Sequence, residues 1–173
     1  SKVPNAYRVL MSQRISAKPK PRAETEPAGL GIASPRAVYG ASRTERVQFI
    51  RSGVPAAYLD HIAGKMAIPK ELLYKTLRLP RSTVDRKLRA NDRLSPEHSE
   101  RVIGLERLIG QLEAMMAESG DGSRFDAHKW IGDWLESPLP ALGGLKPADY
   151  MDTMEGQEMV STLLAQAQSG AYA

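Results

Sequence analysis

A chain of 173 residues has room for one domain of ordinary size or two small ones, and its ordinary apolar share of 42% marks a folding chain rather than a disordered one. The absence of cysteine excludes disulfides, thiolate zinc sites and a thiol nucleophile, and no apolar run approaches the roughly 18 residues a membrane helix needs. The net charge of +4 conceals a division, because residues 1–111 carry 21 Lys and Arg against 10 acids while residues 112–173 carry 3 against 10; a basic front suits a polyanion and an acidic rear a different partner.

A cytoplasmic protein is expected, with Met11 rather than Ser1 as a candidate native start. Residues 1–42, including SAKPKPRAETEPAGLGIASPRA, mix Lys, Arg, Pro, Ala, Gly and Ser without sustained periodicity. That composition predicts a basic, flexible arm that cannot offset its ordering entropy. From Ser42 the chain reads as short helices, the first opened by Thr44. The first carries Val47, Phe49 and Ile50 and closes at GVP, residues 53–55, which puts Pro55 in the first turn of the next. That second helix ends before Pro69, a third follows in PKELLYKTLRL, and a fourth begins after Pro80 in RSTVDRKLRAND.

A tight turn between two short helices, the second rich in Arg and Lys, is the pattern of a helix-turn-helix DNA reader. At about 100° per residue Val84 and Leu88 share an inward face, directing Ser82, Thr83, Arg86 and Arg89 outward. Arg86 is the strongest base-edge candidate, since a guanidinium can give two parallel hydrogen bonds to the O6 and N7 of guanine. Lys75, Arg78, Arg81 and Lys87 lie beside that face as phosphate candidates, near the free N–H groups of the helix start.

The fifth helix starts at Ser95 as N-cap with Pro96 first inside, and Leu105, Leu108, Ile109, Leu112, Met115 and Met116 make its apolar stripe. Core packing explains such a stripe; a dimer seam over Leu105, Leu108, Leu112 and Met116 is the sharper alternative, because operator half-sites are read by dimers. GDGS at 120–123 breaks the chain, Phe125 to Leu135 forms a sixth helix, and Pro147 to Met151 and Gly156 to Gln168 complete it with Gly170 as C-cap. No alternating β-branched stretch occurs, so the fold expected is all-α, with boundaries at 42 and 119.

The combination of IPKELLYKTLRLPRSTVDRKLRANDRLSPEHSERVIGLERLIG with a rear segment carrying Trp134-Leu135, Pro138, Leu142-Gly143-Gly144, Pro147, Gly156 and Val160 resembles the Xre antitoxins of RES–Xre toxin–antitoxin systems, within the wider MbcA/ParS/Xre group. The resemblance implies a front domain that binds operator DNA as a homodimer and represses the operon. It also implies a rear domain, 120–173, that neutralises a RES-type toxin consuming NAD, with its C-terminal end across the toxin's cleft. On that implication Trp134, Pro140, Leu142, Leu145, Tyr150, Met151, Ala171, Tyr172 and Ala173 are the candidate toxin contacts, Trp134 being equally readable as core. The rear acids are either solubilising or complementary to a basic cleft in the toxin.

An enzyme is not expected, nor a cofactor or metal. His61, His98 and His128 lie apart in helical segments without metal-ligand spacing, and no Gly-x-x-x-x-Gly-Lys-Ser/Thr loop occurs. A stand-alone repressor and a pure interaction module are the alternatives to the antitoxin reading.

Overall fold

The computed structural model describes residues 34–120 and 125–169. Within them lie eight α-helices: α1 (Pro35–Gly40), α2 (Arg43–Ser52), α3 (Tyr58–Met66), α4 (Lys70–Thr76), α5 (Arg81–Arg89), α6 (Pro96–Glu118), α7 (Ala127–Leu135) and α8 (Met154–Ser169), with 3-10 turns at Pro140–Leu142 and Pro147–Tyr150. The described residues contain no strand, only an antiparallel bridge between Pro55 and Arg93. The all-α expectation therefore holds. Pro55, expected inside the second helix, serves that bridge instead, flanked by Leu94 N–H to Val54 O at 2.8 Å and Ala56 N–H to Asp92 O at 3.0 Å.

Helix starts follow local chemistry. Ser42 and Glu45 form a capping box on α2, and Ser95 caps α6 by accepting from His98 N–H. The 23-residue α6 is the axis, touched by α1, α2, α7 and α8. Its stripe of Leu105, Leu108, Ile109 and Leu112 is buried within the monomer. This corrects the dimer seam: Leu105, Leu108 and Leu112 already have partners inside the chain, and Met116 is half-buried against the same core.

The expected arm also needs correction at its end. Residues 35–40 form a helix with Val38 fully buried, docked so closely on α6 that a Cβ at Gly110 would lie 2.0 Å from the Pro35 carbonyl oxygen. Six residues are too few for intrinsic helical stability, so tertiary contact forms this turn and no periodicity announces it. Residues 1–33 and 121–124, Gly170, and Ala171, Tyr172 and Ala173 lie outside the described residues.

The rear segment is fastened to α6 by side chains. Gln157 Nε2 donates to Arg101 O at 3.1 Å and Met151 O at 2.9 Å, and Ser161 Oγ donates to Gln111 Oε1 at 2.6 Å. One acid is sealed in the core: Glu106 accepts from the Tyr58 hydroxyl at 3.1 Å, while its second oxygen has no hydrogen-bond partner. Burial pushes its carboxyl up to about 7.

Candidate nucleic-acid interface and partner surface

The link between α4 and α5 is a capped tight turn. Arg78 adopts a left-handed φ of 49°, Arg78 N–H donates to Lys75 O at 3.1 Å, and Leu79 N–H donates to Tyr74 O at 2.8 Å. Leu77 and Leu79 point inward on either side of Arg78, and Val84 anchors α5 in the core with Leu88 packed against it. The helix therefore presents Ser82, Arg86 and Arg89 outward as expected, with Thr83 half-buried at the margin. No side chain caps the α5 N-terminus beyond Pro80, so its first N–H groups face outward for an anion.

The cations of this surface divide into engaged and unengaged. Lys87, expected as a phosphate candidate, is half-buried and bonded to Asp92 at 2.6 Å, because the chain reverses at Asn91 (φ 47°) and returns the carboxylate over the helix end. That contact holds the Asp92 carboxyl below its usual range. Arg89 donates to its own helix at Asp85 O, 3.2 Å, and Arg81 lies 3.7 Å from both Glu71 and Asp85. Arg78 reaches across to Asp152 at 3.0 Å. Lys75 and Arg86 are exposed and make no ion pair within 4.0 Å among the described residues. Ser82, Thr83, Arg86 and Lys75 are thus the groups most ready for a base edge or phosphate.

At the rear, α7 carries an aromatic stack. Trp134 is 4% exposed and lies parallel to Trp130 at 5.7 Å, and Trp130 meets Phe125 at 6.3 Å. Trp134 is core, and so is the fully buried Met151; both leave the set of candidate partner contacts. Aromatic area of this size stabilises most where it is removed from water.

Of the remaining candidates, Pro140, Leu142 and Leu145 share one loop, and Tyr150 ends the 3-10 turn that follows it. Leu139 N–H donates to Leu145 O at 3.0 Å and Gly144 N–H donates to Leu139 O at 2.9 Å, closing the loop at its neck. Gly143 and Gly144 take φ of 63° and 87°, which side chains disfavour. Lys146 braces it through Glu136 at 2.8 Å. Pro140 stands exposed, Leu142 and Tyr150 are half-buried, and Leu145 is 52% exposed.

Sequence reasoning missed two exposed apolar side chains of the rear segment, Met154 and Met159 on α8, at 59% and 37% exposure. They fall off the α8 stripe of Val160, Leu163 and Leu164 that enters the core, and apolar residues outside a helix's buried stripe were the available signal. His61 stacks on Tyr58 at 5.5 Å, and the described residues hold no cluster of three His, Asp or Glu. None of their helices is long and apolar enough to cross a membrane.

Comparison with known proteins matches these two surfaces separately. Residues 45–107 match the family model described as the antitoxin Xre-like helix-turn-helix domain, and residues 123–170 match the antitoxin Xre/MbcA/ParS C-terminal toxin-binding domain. The chain is 47% identical over 138 residues to the "Prs ADP-ribosylating antitoxin" of Sphingobium sp. (strain YBL2), covering 80% of this chain and 87% of that protein. It is 26% identical over 129 residues to "Antitoxin Xre" of Yersinia enterocolitica, covering 75% and 82%.

Proposed function

The chain belongs to the Xre/MbcA/ParS family of type II antitoxins, and from that premise we propose that it neutralises a RES-type, NAD-consuming toxin by blocking its active-site cleft and represses its own operon as a DNA-bound homodimer. It is a binding protein and not an enzyme; the chemistry belongs to the toxin. We assign toxin binding to residues 120–173, DNA binding to 43–119, and the cytoplasm as the compartment where operator and NAD coexist. The name of the 47% identical relative couples an antitoxin to ADP-ribosylation, a reaction whose usual donor is NAD.

The observation that carries the toxin reading is the hydrogen-bonded 139–145 loop, which holds Leu145 out into solvent within the segment matched as toxin-binding. A loop already fixed in shape loses little entropy on binding, and a few apolar anchors can dominate affinity. Co-expression with the adjacent gene tests it: the product should co-purify and lose NAD consumption when bound. Removing Ala171, Tyr172 and Ala173 should then restore toxin activity within an intact complex. Undiminished inhibition would place the block elsewhere on this surface.

The DNA reading has its own expected result. Arg86→Ala should weaken binding to the upstream duplex by about 1 to 3 kcal/mol, roughly 5- to 150-fold, with little effect on an unrelated duplex. Lys75→Ala should weaken both alike and flatten the salt slope by about 0.9. Fluorescence anisotropy across a salt series reads both. Equal losses on the two duplexes for Arg86→Ala would make it a phosphate contact rather than a reader of bases.

A further inference from the structure

Between the α4–α5 turn and the rear segment around the 3-10 turn at Pro147–Tyr150 runs a groove of about 580 Å³. Lys75, Arg78 and Arg81 line it from the front together with Glu71, which lies 3.7 Å from Arg81, and Glu136, Asp149 and Asp152 line it from the rear together with Lys146, which pairs with Glu136 at 2.8 Å. Only one ion pair crosses it among the described residues, Arg78 to Asp152 at 3.0 Å.

That pair closes a ring of polar contacts. Arg101 Nη1 donates to Leu77 O at 3.4 Å and Arg78 O at 3.0 Å, gripping the turn from α6. Gln157 Nε2 holds Arg101 O and Met151 O together, and Met151 precedes Asp152. Backbone on both sides of the pair is therefore fixed, while the Arg78 side chain is 80% exposed and the Asp152 side chain only 18%. The acid is seated and the guanidinium is free to swing. A carboxylate presents two oxygens to a guanidinium much as a phosphate does.

We infer that Asp152 stands in for a DNA phosphate at Arg78, so that duplex and rear domain compete for one guanidinium and the acid tempers DNA affinity. This rests on the DNA-binding reading above. An exposed pair of this kind is weak, so exchange for a phosphate is within reach of binding energy. The exchange would also attach the strength of DNA binding to the segment that joins Tyr150 to α8.

The test uses the full chain and an unrelated duplex of about 30 base pairs. Asp152→Asn should tighten binding roughly twofold to fivefold, the range of an exposed pair, and Asp149→Asn, which removes the same charge from the same wall without touching Arg78, should do less. Arg78→Gln, at a side chain that is 80% exposed, should flatten the slope of log affinity on log salt by about 0.9. In the Arg78→Gln background Asp152→Asn should add nothing. Equal gains from Asp149→Asn and Asp152→Asn, a gain that persists without Arg78, or an unchanged slope in Arg78→Gln each overturn the inference. Should Asp152→Asn fail to melt as a folded protein, the Arg78→Gln slope alone decides. A flat salt slope in the wild type is a different failure, of the DNA reading itself.

Discussion

Trp134→Ala is expected to destabilise the protein by about 3 to 5 kcal/mol, the usual range for deleting a large buried aromatic. The ring is buried against Trp130 at 5.7 Å on α7, and α7 packs on both α3 and α6, so the cavity opens where the rear segment meets the front. At about 2 to 4 °C per kcal/mol for a chain of this size, the melting temperature should fall by roughly 6 to 20 °C. Toxin neutralisation should fail for the same reason, through loss of the shape that holds the 139–145 loop. Calorimetry beside a toxin titration separates the two roles: loss of affinity at an unchanged melting temperature would return Trp134 to the contact surface. Trp134→Phe should recover part of both.

Glu106→Gln should do the opposite and stabilise the protein above neutral pH. Burial raises the folded-state carboxyl from 4.5 to about 7, with the Tyr58 hydroxyl and nearby Lys65 pulling the other way and Glu113 adding to the rise. A folded pKa above the unfolded one means the native state holds the proton more tightly. The Glu106 contribution to stability is then complete below pH 4.5, declines as pH rises toward 7 and stays lost above it. A shift of that size corresponds to roughly 3 kcal/mol at about 1.4 kcal/mol per unit. The variant keeps the Tyr58 hydrogen bond and removes the charge, so the two proteins should melt alike near pH 4.5 and differ by about 6 to 12 °C at pH 8. Parallel melting curves across that window would mean that the buried carboxylate is compensated by a group that moves toward it.

Both expected results concern residues whose type was plain in the sequence and whose surroundings were not. Arg86, Ser82 and Arg89 were legible because Val84 and Leu88 already define the inward side of a short amphipathic helix, and one helix is enough to set what faces out. Lys87 was not, since its partner Asp92 arrives only after the chain reverses at Asn91. Leu105, Leu108 and Leu112 illustrate the same limit: a stripe at helical spacing declares that something covers it, and a second copy or the chain's own α1, α7 and α8 would satisfy the same spacing. A short helix such as α1 carries too few residues for any period to emerge.

By itself, then, the sequence determined the helical class, the cap at Ser95, the helix-turn-helix with its outward Arg86, and the family through the Trp-Leu, Gly-Gly and Gly156 spacing. The first three are local, set by neighbours within a turn or two, where the 3.6-residue period and the chemistry of Ser, Pro and Gly act directly, and the family pattern is a spacing read along the chain. Only the tertiary structure decided that Trp134 and Met151 are interior, that Leu145, Met154 and Met159 are exposed, and that Arg78 faces Asp152. Those facts depend on contacts between residues far apart in the chain, such as Gln157 with Arg101 and α7 with α3. Periodicity says which side of a helix is apolar; only packing says which element that side meets.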